Sequence, residues 1–124
     1  MVMSEMKLVI VIRADLKLGR GKAVAQGAHA AMGALRDAKD RWGPIGCDML
    51  DPWDEEGRKK VCLRVDSEEA LLALAKECDA ANIGHYLVRD AGKTEVAPLT
   101  PTALGIGPDF SRHLDKITGG LGLY

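Results

Sequence analysis

The sequence predicts a small α/β domain that spans residues 1–124, with a mixed four-stranded sheet and helices packed on its faces. The predicted order of elements is β-α-α-β-α-β-β-α. Three observations support this fold class. A continuous β-branched run over residues 7–13 is typical of a strand covered on both faces. A long segment rich in alanine and glycine follows it. Short strands and one amphipathic helix then alternate, which is the pattern of a layered α/β domain.

Composition excludes several classes of protein. Hydrophobic residues at 47% and charged residues at 28% are typical of a globular chain. The longest apolar run, Leu8 to Ile12, is far shorter than the roughly 20 residues that span a membrane, so no membrane partner is expected. Net charge is −1, so a nucleic-acid contact would need a local basic patch. The three unclustered cysteines, Cys47, Cys62 and Cys78, favour reduced thiols in the cytoplasm.

The first half of the chain begins with the strand over residues 7–13. A connector leads to a helix that we expect to run from Gly21 to about Lys39, with its end loosened by Gly43 and Pro44. Residues 40–59 look irregular apart from one short helix.

That short helix is predicted from three adjacent signals. Asp51 is expected to be its N-cap, Pro52 to stand in its first turn and Gly57 to end it. The helix would then lead directly into the second strand, Lys60 to Val65, whose side chains alternate weakly between apolar and polar.

The next helix is marked at both ends and along one face. Asp66 or Ser67 can cap its start, and Asn82 to Gly84 end it. Its apolar positions at i, i+3, i+4 and i+7 form one stripe: Leu71, Leu74, Ala75 and Cys78.

The last part of the chain contains two strands, His85 to Arg89 and Thr102 to Gly107, and a helix from about Asp109 to Ile117. The loop between the strands runs from Asp90 to Pro101. Loops of about 12 residues are uncommon in compact domains and are often functional.

Two stripes of the first helix differ in character. At 100° per residue, polar and glycine positions share one side: Lys22, Gln26, His29 and Gly33. Small and apolar positions share almost the opposite side: Val24, Ala28, Ala31 and Leu35. An ordinary solvent-facing stripe would contain more charged residues, so the polar stripe is a candidate binding surface.

Known phosphate-binding loops do not match the start of this helix. A Walker loop requires glycine where Leu16 stands and a hydroxyl residue where Ala23 stands, and the glycine spacing is not that of a dinucleotide fingerprint. Backbone N–H groups at the helix start, with Arg20 and Lys22, can still hold an anion. The alternative is a glycine-rich turn into a core helix whose polar residues are merely exposed.

A second candidate site follows the third strand. Asp90, Lys93 and Thr94 come at its end, and ligand sites in α/β sheets gather beyond the carboxyl ends of strands. Asp90 and Lys22 would face one crevice if their strands are parallel neighbours. The alternatives are a turn-forming role for Asp90 and backbone hydrogen bonding for Thr94 and Thr102.

No metal or cofactor is expected. His85 and His113 lack metal-ligand spacing to a cysteine or a second histidine, and Cys62 and Cys78 are assigned to the core. No nucleophile elbow or Cys–His pairing is evident, so covalent catalysis is not expected.

Beyond these local patterns, six blocks closely resemble the archaeal and eukaryotic type of peptidyl-tRNA hydrolase, in order and at that family's spacing. They cover nearly the whole chain: residues 13–22, 25–30, 57–61, 90–95, 102–108 and 114–119. The sequence departs from the family pattern at Glu95, where glutamine is common, and over Leu99 to Pro101.

The resemblance implies a homodimeric enzyme that hydrolyses the ester between a peptide and tRNA, and contacts the RNA mainly through its backbone. It implies catalytic roles for four residues: Lys22, Asp90, Thr94 and Thr102. Substrate-binding roles fall on Gln26 and His29, with a basic patch at Lys17, Arg20, Arg89 and Lys93. Two other classes stay open: a non-catalytic α/β module that binds RNA or protein, and a small-molecule regulatory domain.

Overall fold

The structure is a computed structural model that describes residues 5–91 and 99–124, apart from the side chains of residues 45–47. Its strands are β1 (Met6–Arg13), β2 (Lys60–Val65), β3 (His85–Arg89) and β4 (Pro101–Phe110). Its α-helices are α1 (Arg20–Met49), α2 (Asp51–Glu55), α3 (Glu68–Ala81) and α4 (Ser111–Thr118). The predicted fold class and element order are confirmed.

The four strands form one mixed sheet in the order β2-β1-β4-β3. β1 pairs in parallel with β2 and antiparallel with β4, and β4 pairs antiparallel with β3. β1 and β3 therefore run in the same direction and end at the same edge of the sheet. They are not neighbours, because β4 lies between them.

Alternate side chains of β1 enter two separate cores. Leu8 and Ile10 belong to the core beneath α1 and α2. Val9 and Val11 belong to the core formed with α3 and α4 on the other face. This alternation explains why the β1 sequence is apolar throughout, and it confirms the predicted strand covered on both faces.

Helix α1 lies unusually close to the sheet. Its buried face is built from Ala30, Ala34 and Ala38. A Cβ atom added at Gly105 of β4 would lie 2.1 Å from the carbonyl oxygen of Ala30, far inside van der Waals contact. Small residues on both elements are therefore a condition of this packing, which accounts for much of the alanine content of the helix.

The two stripes of α1 flank this buried alanine face. In angle around the helix, the alanines fall between the two stripes, about 110° from the polar stripe and about 90° from the apolar stripe. Burial along the helix does not follow the polarity of the stripes. Val24 on the apolar stripe is 73% exposed, whereas Gln26 on the polar stripe is only 2% exposed. The helix thus presents a polar groove on one flank and an apolar groove on the other.

The apolar groove lies between α1 and the edge strand β2 and has a volume of about 420 Å³. Because α1 does not cover this face of β2, the side chain of Cys62 is exposed, and its assignment to the core is wrong. Cys78 is buried as predicted, and burial raises the pKa of its thiol to about 12.

The expectation that the chain is irregular after Lys39 is wrong, because α1 continues to Met49. Helical geometry is interrupted only at Gly43, and Pro44 stands in the turn that follows. A proline is tolerated at the start of a helical segment, since the N–H that it lacks has no partner there. The glycine–proline pair therefore breaks the helix locally without ending it.

The helix caps were predicted with mixed success. The N-cap of α2 is Leu50 and makes no side-chain cap bond, so the prediction for Asp51 is wrong; Asp51 is the first helical residue. The cap of α3 is confirmed, with the Ser67 hydroxyl accepting a hydrogen bond from the Ala70 N–H at 3.0 Å. Asn82 ends α3 in the left-handed conformation, as expected.

Strand β4 is longer than predicted. It extends to Phe110 because Asp109 and Phe110 still pair with Lys7 and Met6 of β1. The last helix consequently begins at Ser111, two residues later than expected. Across the described residues, no helix has both the length and the apolar character needed to cross a bilayer.

Candidate active site

A cleft of about 670 Å³ follows the polar flank of α1, between this helix and β3. All four residues of the polar stripe contribute to its wall. The described residues that line it come from α1, from β3 and from the two positions after β3: Lys22, Ala25, Gln26, His29, Met32, Gly33, Arg36, Tyr86, Val88, Arg89, Asp90 and Ala91.

Three predicted residues meet at one end of this cleft. The Lys22 ammonium donates a hydrogen bond to Oδ1 of Asp90, and Gln26 Nε2 donates to the same oxygen at 3.1 Å. The side chain of Asp90 is 5% exposed and that of Lys22 is 16% exposed. A carboxylate with so little access to water needs such charged and polar donors, so the three side chains act as one structural unit.

The backbone of Asp90 is fixed as well as its side chain. Its N–H donates to the carbonyl oxygen of Thr100 at 2.9 Å, and its carbonyl accepts from the Leu99 N–H at 2.7 Å. These bonds join the two ends of the loop, directly after β3 and before β4. The carboxylate is therefore held by the sheet, even though it lies outside a strand.

Arg13 anchors the same edge of the sheet from β1. Its guanidinium is buried and donates to the Pro101 carbonyl at 3.1 Å and to Asp15 Oδ2 at 2.7 Å. The hydrogen bond that Arg13 donates to Asp15 raises the pKa of Arg13, and the same bond lowers the pKa of Asp15. The ends of β1 and β4 are thereby tied together beside the cleft.

Other predicted site residues lie in different surroundings. Thr102 is fully buried in β4, and its hydroxyl donates to the Val88 carbonyl at 3.5 Å. His29 lines the cleft and is exposed, while Lys17 and Arg20 are exposed near the start of α1. Lys93 and Thr94 lie outside the described residues, so their predicted roles stay predictions.

Sequence reasoning missed two residues of the cleft wall. Arg36 was not included in the polar stripe, although it stands seven positions after His29 and hence on nearly the same flank of α1. Tyr86 was not singled out, although strand alternation places it on the same face of β3 as Val88. Both signals were present in the helical and strand periodicities.

The geometry at Asp90 suits hydrolytic chemistry. A fixed carboxylate can orient a water molecule and accept its proton, while an adjacent ammonium and amide can stabilise negative charge that develops on a substrate oxygen. In the part of the chain that the structure describes, no group of three or more histidine, cysteine or acidic side chains is arranged to hold a metal ion.

Comparisons with known proteins point to one family. The model of the family described as "Peptidyl-tRNA hydrolase PTH2" matches residues 6–124. A protein named peptidyl-tRNA hydrolase from Methanothermobacter thermautotrophicus is 44% identical, over 95% of this chain and 99% of its own length. One of the same name from Methanopyrus kandleri is 46% identical, over 94% and 97%. The human protein named "Peptidyl-tRNA hydrolase 2, mitochondrial" is 40% identical, over 97% of this chain and 65% of its own length.

Proposed function

Because the chain belongs to the PTH2 family of peptidyl-tRNA hydrolases, we propose that it hydrolyses the ester bond between peptide and tRNA in peptidyl-tRNA. The products are free peptide and free tRNA, and the tRNA can then be used again in translation. The observation that carries the proposal is the Lys22–Gln26–Asp90 unit at the end of an open cleft. A module that only binds RNA would have no need of a fixed carboxylate there.

In the proposed reaction, Asp90 orients a water molecule and takes its proton as the water oxygen attacks the ester carbonyl carbon. Lys22 and Gln26 stabilise the negative charge that develops on the carbonyl oxygen. The bond between that carbon and the ribose oxygen then breaks, and the ribose oxygen leaves with the proton that Asp90 had accepted from the water. No covalent enzyme intermediate and no metal or other cofactor takes part in this scheme.

Two threonines complete the proposed site. We assign Thr94 to relay or orient the attacking water, since it follows Asp90 by four residues and matches the family motif. Thr102 has a supporting role at the start of β4, where its hydroxyl bonds to the neighbouring strand. We therefore expect its replacement by valine to affect catalysis less than loss of Lys22 or Asp90.

The tRNA would be held mainly through its phosphates. Lys17, Arg20 and Arg89 are exposed around the start of α1 and the end of β3, and Lys93 follows in the sequence. Phosphate contacts position an RNA without reading its sequence, which suits an enzyme that acts on many tRNAs. His29 contributes to the same surface from the cleft wall.

A single-turnover assay tests the proposed function. The purified protein should hydrolyse N-acetyl-aminoacyl-tRNA and should act poorly on free aminoacyl-tRNA, because the charged amino group of the latter would lie near Lys22. Asp90→Asn should lose most of the activity. Hydrolysis should also persist in the presence of a chelator. Activity that disappears with chelator and returns with a divalent ion would contradict the metal-free scheme, and an inactive wild-type protein would contradict the function.

We further propose that the protein is a homodimer, with the apolar groove as its contact surface. Val24 is 73% exposed on this flank and the groove walls are apolar, which is a costly surface to leave in water. Light scattering should give twice the monomer mass for the wild type, and Val24→Lys should lower it. Met49→Lys, at another exposed apolar position, is the control. A monomeric wild type would overturn the dimer without affecting the hydrolase assay.

We also propose that residues 1–124 act as one catalytic domain and that the enzyme works in the cytoplasm. The first point is supported by the family match, which extends over residues 6–124. The second is supported by its expected substrate, which arises during translation.

A further inference from the structure

At the end of the cleft away from Asp90, the ring of Tyr86 packs on the backbone of α1. A Cβ atom added at Gly33 would lie 2.3 Å from both Cγ and Cδ2 of this ring. Only glycine at this position lets the ring lie so close to the helix. Tyr86 is nevertheless 47% exposed and lines the cleft. One side of the ring is therefore held by the helix, while much of the rest is available to a ligand.

The ring is distant from the reacting carboxylate. Tyr86 precedes Asp90 by four residues along β3, which corresponds to ~13 Å at strand rise. Lys22 and Gly33 are eleven residues apart on α1, which corresponds to ~16 Å. With the ester at Asp90, the nucleoside that carries it lies beside Lys22. A group ~13 Å away would reach another nucleotide, since stacked nucleotides rise by only about 3.4 Å. An unstacked, extended strand covers the same distance in fewer nucleotides.

The charges along the cleft between Asp90 and Tyr86 favour RNA over peptide as the part of the substrate that lies there. Lys22, Arg36 and Arg89 line it, and Asp90 is the one acidic side chain among the described lining residues. The chain as a whole has a net charge of −1, so this surface is locally positive. Phosphates are attracted to such a surface, whereas nascent peptides have no common charge. An exposed aromatic ring between cations is the usual platform for single-stranded RNA.

We infer that Tyr86 stacks on a base of the single-stranded 3′ end of the tRNA, at a nucleotide on the 5′ side of the one that carries the peptide. Arg36 then contacts an adjoining phosphate. This inference rests on the proposed function, because it takes peptidyl-tRNA as the substrate. Stacking uses the face that every base has, so the contact adds affinity without selecting among tRNAs.

Two substrates separate this role from a role in the chemical step: N-acetyl-aminoacyl-tRNA, and the same N-acetyl-aminoacyl ester of adenosine alone. Tyr86→Ala should lower kcat/KM for the tRNA substrate about 5- to 100-fold, mainly through KM, as expected for the loss of one stacked base. It should leave the adenosine ester unchanged. Tyr86→Phe should stay close to wild type on both substrates, since the ring is retained.

Gly33→Ala provides an independent variant that keeps Tyr86 but displaces its ring. It should show the same substrate-dependent loss, and combining it with Tyr86→Ala should add little. Tyr124→Ala is the matched control, because Tyr124 is a tyrosine of similar exposure, 48%, that lines the apolar groove and not the cleft. Since that groove is the proposed dimer surface, light scattering verifies that this variant keeps the oligomeric state of the wild type. Equal losses on both substrates, or no loss on the tRNA substrate, would overturn the inference.

Direct binding keeps the inference distinct from the proposed function. The trinucleotide CpCpA, the common 3′ end of tRNAs, should bind the wild type and Tyr124→Ala equally and bind Tyr86→Ala about 5- to 100-fold more weakly. Wild-type protein that binds CpCpA through Tyr86 but hydrolyses neither ester would refute the hydrolase and support the RNA contact. If the wild type hydrolyses both esters and Tyr86→Ala binds CpCpA as tightly as the wild type does, the hydrolase is supported and the RNA contact is refuted.

Discussion

Replacing Lys22 by methionine removes the ammonium from the cleft and keeps most of the side chain's length. Replacing Asp90 by asparagine removes the charge and keeps the shape. If both groups act on one step, each change should lower kcat by about 10²- to 10³-fold, the range found when one preorganised electrostatic group is lost. The double variant should be little worse than the poorer single variant, because groups that act as a unit are not additive.

The structure predicts a parallel effect on stability. Asp90 is 5% exposed, so Lys22→Met leaves a buried carboxylate with one charged donor fewer. A hydrogen bond to a charged group contributes about 1.5–3 kcal/mol, and we expect Lys22→Met to lower the free energy of unfolding by about that amount. In the double variant this buried charge is absent. Its loss of stability should therefore be smaller than the sum of the two single losses.

The assay is multiple-turnover hydrolysis of N-acetyl-aminoacyl-tRNA at saturating substrate, which gives kcat, with unfolding followed by circular dichroism in the same buffer. Lys7→Met is the control, because the Lys7 side chain is 15% exposed, close to the 16% of Lys22, and pairs with Asp115 instead of Asp90. It should leave kcat unchanged. A well-folded Asp90→Asn variant with near-normal kcat would remove the carboxylate from the mechanism. Fully additive losses in kcat would show that the two groups act on separate steps.

Three further predictions concern packing, pH and salt. Gly105→Ala places a Cβ atom 2.1 Å from a carbonyl oxygen of α1 and should lower the free energy of unfolding by about 1–3 kcal/mol or more. Gly21→Ala is the control, because a Cβ atom added there meets no neighbouring element within 4 Å. Equal melting temperatures for the two variants would contradict the reasoning. The Arg13 hydrogen bond lowers the pKa of Asp15 from its usual 3.8, so this pair stabilises the fold above that pH and the contribution is lost as pH falls through the lowered value. Asp15→Asn should accordingly lower the melting temperature at pH 7 and narrow its difference from wild type below pH 3.8; a difference that stays constant down to pH 2 would count against it. Arg20→Gln should raise KM similarly for different tRNAs and reduce the slope of its salt dependence by about one, and a change in preference among tRNAs would argue against phosphate contact.

Much of the fold could be predicted because local patterns and tertiary structure agree. The apolar run of β1 required cover on both faces, and two cores supply it. The helix after Gly43 was missed because a glycine–proline pair signals a stop, and nothing local shows that a helix resumes. Cys62 was misassigned for a different reason: the edge position of β2 depends on strand order, which its own sequence does not contain.

The candidate site was predictable to a similar extent. Helical spacing and the rule for strand ends indicated that Lys22, Gln26 and Asp90 share a crevice, and the structure brings them together. The condition that their strands be parallel neighbours is not met, and it was not needed, because α1 crosses the sheet and carries Lys22 to the end of β3. Tyr86 was missed because its position depends on the missing side chain at Gly33, a contact between elements distant in sequence.

The contact between Gly105 and the carbonyl oxygen of Ala30 has a consequence for protein engineering. Because helix and strand already touch backbone to backbone, α1 cannot be moved inward, and any larger side chain at this contact would push it outward together with Lys22 and Gln26. A designer who wishes to reshape the cleft for another ester should therefore keep α1 and its alanine face unchanged. The adjustable wall is β3, which is the edge strand of the described sheet and whose exposed residue Arg89 can be exchanged without moving α1.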